Sequence, residues 1–167
     1  MDITLSDDHS TDRMKYLVDR IDKSAEEAFL DFHHNEEMID QGSIRRMSKI
    51  TQRIMEIIDY DMVAEQRVNN YRILDDVLKE TNAFPPKAIK NAVPMIYPYI
   101  TKDAQGLRRW LIENKVYVAK YWPNVEEWSG KDSFETYLAD HLLALPIDQR
   151  YEEEDMKYII NLIKEYA

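Results

Sequence analysis

The stretch at residues 93–119 constrains the fold most, because it predicts a strand, a helix and a second strand in succession. Residues 93–100 are apolar and β-favouring. Because proline cannot donate a hydrogen bond to a neighbouring strand, the two prolines must lie either in an edge strand or at the ends of the strand. Thr101 or Asp103 can cap the following helix, in which four apolar residues share one face: Ala104, Leu107, Trp110 and Leu111. Residues 116–119, Val-Tyr-Val-Ala, then predict a short buried strand.

The N-terminal part of the chain predicts helices. Apolar residues recur at intervals of three and four from Met14 to Phe32, which indicates one long helix that ends near Asp40, with Gly42 as its terminator. Ser48 can cap the next helix, which carries a ridge formed by Ile50, Ile54, Ile57 and Ile58.

A break at residues 60–61 separates that helix from another long one, whose inward residues are Ala64, Val68, Tyr71, Leu74 and Leu78. Pro85 and Pro86 then forbid helical continuation, so we divide the chain into a helical part, 1–82, and an α/β part, 83–167. In the second part, Ser133 can cap a helix, residues 143–147 predict a third strand, and residues 152–155 open the last helix. The predicted fold class is therefore α/β (α+β), with a short three-stranded sheet.

Composition excludes several classes of function. A net charge of −10 repels phosphate backbones, so we expect neither nucleic acid nor an anionic membrane as a partner. The chain has no Cys, which excludes disulfides and thiolate chemistry and fits a cytoplasmic protein. We see no secretory signal and no apolar run that approaches the ~20 residues of a membrane span. With 3 glycines, the chain contains no phosphate loop, dinucleotide fingerprint or nucleophile elbow.

Metal binding is not predicted. His33 and Glu37 lie four residues apart and could bind the same metal ion. Because two protein ligands are too few for a zinc site, a solvated helix face is the better interpretation. The acids at residues 152–155 suit the positive end of a helix dipole rather than a cation.

Two clusters could bind a ligand. The first combines cations and a hydroxyl at a helix start, as a phosphate group requires, and consists of Arg45, Arg46, Ser48, Lys49 and Arg53. The alternative is that these arginines pair with the surplus carboxylates.

The second cluster is an aromatic wall that could stack on a ring or a sugar, formed by Tyr117, Tyr121, Trp122 and Trp128. Its alternative is ordinary buried packing.

Three stretches together carry a family resemblance. Gly42-Ser-Ile-Arg-Arg-Met-Ser48, with the apolar helix after it, resembles a conserved turn of the fold-type-I aminotransferases that depend on pyridoxal phosphate. Residues 66–74 are similar to the helix that leads into the small domain of those enzymes, and residues 107–121, 138–147 and 153–156 resemble the small domain itself. The pattern is most like that of the DegT-like branch, which acts on nucleotide-linked keto-sugars.

The resemblance implies where ligands would bind. Arg46 and Ser48 match the turn that approaches the phosphate of pyridoxal phosphate across a dimer interface, whereas Ile44 and Arg45 depart from that turn. From the aromatic wall, we expect Tyr121 and Trp122 to contact substrate. The resemblance also implies that residues 1–82 contain the end of a large domain and a connecting helix, and that residues 83–167 form the small domain.

No lysine of this chain lies in the setting in which the family forms its Schiff base, so we expect no catalytic residue and no bound cofactor in this chain alone. The complete enzyme would need a lysine-bearing N-terminal half. We also expect a homo-oligomer, formed mainly through residues 10–60. The competing hypothesis is a non-catalytic protein-interaction module that retains the small-domain fold.

Overall fold

The computed structural model describes residues 5–83 and 92–166. The chain forms two compact units, Met1–Ile58 and Asp59–Ala167. The first unit contains a 3-10 turn, Thr11–Arg13, and the helices α1 (Lys15–Asp22), α2 (Phe29–Asp40) and α3 (Lys49–Ile57).

The single helix predicted from Met14 to Asp40 is wrong, since the chain leaves helical geometry between α1 and α2. Lys23 adopts φ −125° and ψ −99°. The hydroxyl of Ser24 then accepts a hydrogen bond from Glu27 N at 3.1 Å, a local bond that competes with the helical pattern. The break brings α2 against α1, where the rings of Tyr16 and Phe32 meet edge to face at 5.5 Å.

An extended N-terminal segment lies beside the turn that precedes α3. Arg46 N donates to Ser6 O and Asp8 N donates to Arg46 O, both at 2.9 Å, which forms a parallel bridge between Asp7 and Arg46. Ser48 caps α3 as predicted, because its side chain accepts from Thr51 N at 3.2 Å.

The second unit consists of helices around a small sheet. It contains α4 (Tyr60–Leu78), β1 (Ile96–Ile100), α5 (Ala104–Glu113), α6 (Val125–Ser129), α7 (Phe134–His141), β2 (Leu142–Pro146) and α8 (Glu153–Tyr166). Asp59 caps α4 through a 3.0 Å bond to Met62 N, so the predicted break at residues 60–61 is confirmed within two residues. Asp103 caps α5 and Ser133 caps α7.

Two strands form the sheet of the described residues, not the predicted three. β1 and β2 are antiparallel, with Tyr97 opposite Leu145 and Tyr99 opposite Leu143. Val116 and Val118 are buried as a strand would bury them, but residues 116–119 make a single bridge to the sheet, from Ala119 to Ala144. A strand needs a continued ladder of such pairs, and this segment lacks one.

Asn82 occupies the other edge of β1. Its Oδ1 accepts from Ile100 N at 3.0 Å and its Nδ2 donates to Pro98 O at 2.8 Å, so the side-chain amide pairs with the strand as a peptide group would. Ala83 N then donates to Ile100 O at 2.9 Å. Residues 82–83 therefore add hydrogen bonds to the edge of β1 that faces away from β2, over the length of two residues.

The hydrophobic core of the second unit lies between the sheet and the helices α4, α5 and α8. The residues of α8 that the apolar spacing placed inward, Met156, Ile159, Ile160 and Ile163, are all buried, whereas Tyr166 is 37% exposed. From α4 and α5 the core receives Leu74, Leu78, Leu107 and Leu111. These helices bury one face each, as amphipathic helices on a sheet do.

The compact units divide the chain at a different place from the predicted boundary after Asn82. Leu74 and Leu78 join α4 to the same core as the strands, so this helix belongs with the α/β part. Pro85 and Pro86, which suggested the boundary, lie outside the described residues. Among the described helices, none has the length and apolar character that a membrane crossing requires.

Candidate functional site

Arg46 and Ser48 lie at the start of α3, where both side chains already have partners. Arg46 Nε donates to Asp7 Oδ1 at 2.8 Å. Ser48 is 5% exposed, and its Oγ caps α3, lies 2.9 Å from Thr51 Oγ1 and makes a short hydrogen bond with the hydroxyl of Ser10. The two residues predicted to bind the cofactor thus contact hydroxyls and carboxylates of the same chain.

The other arginines of this cluster also lie against carboxylates. Arg45 Nη1 is 3.4 Å from Asp8 Oδ1, and Arg13 Nε is 3.0 Å from the second oxygen of the same carboxylate. Arg53 pairs with Glu56 within α3 at 3.0 Å. These contacts support the alternative in which the arginines neutralise acidic residues of the same chain.

The donors around Arg46 and Ser48 do not fit a phosphate group as they are arranged. A phosphate at a helix start needs free N–H groups, hydroxyls and cations directed at one point. Here the Ser48 hydroxyl serves the helix cap, and Asp7 and Asp8 add two negative charges beside the arginines. A dianion at this place would meet repulsion from both carboxylates. We therefore derive no cofactor chemistry from these residues.

Tyr121 and Trp122 are neighbours in the segment between α5 and α6, with ring centroids 5.7 Å apart and planes tilted by 46°. Trp122 is 66% exposed and Trp128 is 71% exposed, so ordinary buried packing does not describe these two indoles. Trp122 also has a positive φ of 51°, a conformation that non-glycine residues seldom adopt. The assignment of Tyr121 and Trp122 to substrate stays a prediction.

A second aromatic surface was missed in the sequence. On α7, Phe134 stacks on Tyr137 at 6.3 Å, and Tyr137 stacks on the His141 ring at 4.3 Å. The Phe134 side chain is 59% exposed and that of Tyr137 is 45% exposed. Their spacing of three and four residues places these three rings on one face of α7. Lys120 connects the aromatic segment to this helix through a 3.0 Å ion pair with Asp140.

A cavity of about 400 Å³ lies in the second unit, where the end of α5 meets the start of α8. Val116 and Ile159 line its buried side, and Lys115, Asp155 and Tyr158 line its exposed side. Lys115 has φ 64°, because it ends α5 in the left-handed conformation with Val116 N bonded to Leu111 O at 2.8 Å. No sequence motif pointed to this cavity.

Metal ligands do not converge in the part of the chain that the structure describes. No group of three or more His, Asp or Glu side chains there could hold an ion. His33 Nδ1 lies 3.9 Å from Glu36 rather than meeting Glu37, and both side chains are more than half exposed. His33 and Glu36 therefore lie on an exposed face of α2.

The described pKa shifts lie away from Arg46 and Ser48. Burial raises the pKa of Tyr97 to about 12, with the nearby charge of Asp75 adding to the effect. The hydrogen bond from Tyr166 lowers the pKa of Asp103, and a bond from Gly106 N acts in the same direction. The hydrogen bond from Arg150 lowers the pKa of Asp148. Tyr97 and Asp103 bond to side chains of other helices in the second unit, whereas Asp148 pairs with Arg150 two residues along the same segment, so these shifts reflect structural pairing.

Comparisons with known proteins show a likeness of fold. Neither a protein-family model nor a curated protein matches this sequence. The chain is similar to the crystal structure of a DegT DnrJ EryC1 StrS aminotransferase from Brucella abortus, with a TM-score of 0.52 and 17% sequence identity. The match covers 62% of this chain and 31% of that chain, so this sequence corresponds to about a third of the aminotransferase. The fold, a mixed helical architecture with a small antiparallel sheet, is thus similar to that of part of this aminotransferase.

Proposed function

We propose that this sequence provides the C-terminal, small-domain part of a DegT-like aminotransferase that depends on pyridoxal phosphate and acts on nucleotide-linked sugars. The observation that carries the proposal is the fold likeness to an aminotransferase across 62% of this chain. The order of the stretches that resemble the family, at residues 42–48, 66–74, 107–121, 138–147 and 153–156, supports the same assignment. The lysine that binds the cofactor belongs to a large domain in another part of the protein or in another chain.

In this proposal, the second unit contributes substrate contacts rather than chemistry. Trp122 and Tyr121 present an exposed aromatic pair, and exposed rings of this kind stack on sugar faces and on nucleobases. Such a contact orients a substrate without moving a proton. Pyridoxal phosphate supplies the electron sink of transamination in the complete enzyme, and the residues described here supply none of that chemistry.

A fluorescence titration tests the substrate contact. We expect a uridine- or thymidine-diphosphate sugar to quench tryptophan emission in a saturable way, because a stacked ring changes the environment of the Trp122 indole. Trp122→Ala removes the saturable quenching, whereas Trp128→Ala serves as the matched control and retains it. Saturable quenching that persists in Trp122→Ala, or that Trp128→Ala removes, would contradict the assignment.

A cofactor test addresses the missing lysine. We expect the purified chain with pyridoxal phosphate to give no stoichiometric adduct after borohydride reduction, because no lysine lies in the family's setting. Mass spectrometry of tryptic peptides provides the measurement. One lysine modified at a ratio of one per chain would show that this part of the protein holds the cofactor itself.

A non-catalytic interaction module is the second candidate, and one observation favours it. The described residues 5–58 bury very little apolar surface, as a segment that packs on another protein would. The coding sequence beside this one distinguishes the two candidates. A neighbouring frame that encodes a lysine-bearing aminotransferase domain supports the enzyme, and its absence from every genome that carries this chain supports the module.

A further inference from the structure

Arg108 is a partly buried cation without a partner in the described chain. Three arginines of the described residues are partly buried, Arg13, Arg67 and Arg108. Arg13 pairs with Asp8 at 3.0 Å, and Arg67 donates to two backbone carbonyl oxygens. By contrast, Arg108 makes no hydrogen bond or ion pair within residues 5–83 and 92–166.

The guanidinium of Arg108 has lost water without a compensating contact. Long side chains often cover their aliphatic stem and leave the charged head in solvent. At Arg108, burial lowers the pKa of the guanidinium itself, so the head group is partly desolvated. Removal of an unpaired charge from water costs free energy, although a chain of net charge −10 has many acids that could pair with it. An arginine in this state is suited to bind an anion from outside the chain.

Helical geometry places Arg108 on the side of α5 that faces away from α8. Gly106 leaves room for the Tyr166 hydroxyl of α8, and Trp110 Nε1 donates to Leu162 O of the same helix at 3.1 Å. Because an α-helix turns by about 100° per residue, Arg108 lies roughly 160° around α5 from both Gly106 and Trp110. The contacts with α8 therefore do not cover it.

The uncovered side of α5 combines this cation with exposed apolar groups. The end of α7 meets the start of α5, where His141 O accepts from Thr101 N at 3.3 Å, and the two helices pack together. Since α8 occupies the opposite side of α5, we place Arg108 on the α7 side. Ile112 follows Arg108 by one helical turn and is 40% exposed, and the Tyr137 ring of α7 is 45% exposed. An anion held by Arg108 would have apolar or aromatic groups next to its charge.

The charge at this position favours a carboxylate over a phosphate. One guanidinium neutralises one negative charge, and its planar fork matches the two oxygens of a carboxylate. A phosphate dianion would leave an excess negative charge on a chain that already carries −10. The Asp140 carboxylate of α7 is engaged by Lys120 at 3.0 Å, so it leaves Arg108 to another anion.

We propose that Arg108 anchors a binding site, on the α7 side of α5, for a carboxylate attached to an apolar or aromatic group, with Ile112 and Tyr137 beside it. The site is independent of the aminotransferase assignment and of the proposed sugar contact at Trp122, because it rests on an unpaired cation and its exposed neighbours.

An NMR titration with 3-phenylpropionate tests the proposal, followed at the Arg108 Nε–Hε signal and at the backbone amides of α5. We expect saturable shifts with a dissociation constant of about 1 mM or tighter, measured against sodium chloride at equal ionic strength. Arg108→Gln should abolish the saturable binding. Arg108→Lys should weaken it at least ~10-fold, because lysine keeps the charge but lacks the planar fork. The matched control is Arg109→Gln, at the exposed neighbouring position, which should bind as the wild-type protein does.

A second arm identifies the source of the carboxylate. The probe is a tripeptide with both ends blocked and a central glutamate. Tighter binding of the tripeptide supports the site and indicates a protein partner, whereas tighter binding of 3-phenylpropionate supports the site and indicates a small carboxylic acid. The uncharged 3-phenylpropionamide should not bind.

Stability separates a binding site from a structural role. Arg108→Met keeps an aliphatic stem and removes the charge, so the melting temperature of the free protein should stay equal or rise. A fall of about 3 °C or more in this variant would overturn the proposal, because Arg108 would then have a stabilising partner within the chain. So would the absence of saturable shifts with both probes at ~20 mM, or binding of 3-phenylpropionate that Arg108→Gln leaves unchanged.

Discussion

Asn70 Nδ2 donates a hydrogen bond to the backbone carbonyl oxygen of Tyr151 at 3.0 Å, which ties the middle of α4 to the segment between β2 and α8. The same amide lies within 3.3 Å of Ile147 O and 3.2 Å of Asp148 O, and Asn70 is fully buried. Gln66 Nε2 donates both to Asn70 Oδ1 and to Tyr151 O. The two N–H groups of one buried side chain are thus shared among three backbone carbonyl oxygens.

Replacement of Asn70 should destabilise the second unit strongly. Asn70→Ala leaves buried carbonyl oxygens without donors and creates a cavity, so we expect the free energy of unfolding to fall by about 2–4 kcal/mol. Urea denaturation followed by circular dichroism measures the change. Asn69→Ala, at the exposed neighbouring position, should alter stability by less than ~0.5 kcal/mol. Equal effects of the two substitutions would contradict the role of Asn70.

Tyr97 should make the free energy of unfolding depend on pH in the alkaline range. Burial raises its pKa in the folded protein from 10.0 to about 12. Between these two pKa values the unfolded chain loses the phenolic proton and the folded chain keeps it. The contribution of Tyr97 to the free energy of unfolding is therefore fully present below pH 10 and is lost as the pH rises toward 12. Tyr97→Phe should flatten the fall in unfolding free energy over this range. Tyr137→Phe, at an exposed position, provides the comparison, and an equal flattening there would refute the assignment.

Lys115→Gly should stabilise the protein. Lys115 adopts φ 64° at the end of α5, a conformation that costs a residue with a side chain about 1–2 kcal/mol and costs glycine nothing. We expect an increase of about 0.5–1 kcal/mol in unfolding free energy, after the greater freedom of glycine in the unfolded chain is included. Asn114→Gly is the control and should destabilise, because Asn114 has φ −94° and its side chain bonds to Trp110 O. A destabilised Lys115→Gly would show that the side chain of Lys115 matters more than its backbone.

Arg46→Gln should loosen the N-terminal segment without unfolding α3. The ion pair with Asp7 is exposed, and such pairs contribute about 0.2–1 kcal/mol, so we expect amide exchange at Asp8 to rise by about fivefold or less. Hydrogen exchange measured by NMR resolves this amide, which donates to Arg46 O. Arg53→Gln should leave the Asp8 amide unchanged, since Arg53 pairs with Glu56 inside α3. An equal rise in both variants would mean that α3 as a whole has been weakened.

Local chemistry accounts for what the sequence predicted well. The caps at Ser48, Asp103 and Ser133 depend on a side chain and a backbone amide three residues away, so they are visible in short stretches. The buried face of α8 follows from its apolar spacing in the same way. By contrast, the break after Lys23 arises where apolar spacing continues unchanged, and no residue with a strong helix-breaking tendency marks it.

Long-range pairing accounts for most of the rest. The buried alternation of Val116 and Val118 suggested a third strand, but strand formation depends on a ladder with a distant segment, and that ladder is a single bridge here. Pairing of the arginines with acids was one of two sequence-based interpretations. That Arg46 pairs with Asp7, which lies 39 residues away in the sequence, depends on the fold. The exposure of Trp122 likewise follows from tertiary placement and not from composition.

The pairing of Asn82 with β1 has a consequence for how this protein behaves at high concentration. A bare strand edge offers alternating donors and acceptors to any other chain that approaches it. On this edge Pro98 has no N–H, and residues 82–83 occupy Pro98 O, Ile100 N and Ile100 O. A second molecule therefore finds few free hydrogen-bonding groups from which to nucleate an intermolecular sheet. We therefore expect the amide of Asn82 to protect the two-stranded sheet against fibril growth, and a concentrated, shaken solution of Asn82→Ala should form fibrils sooner than the wild-type protein.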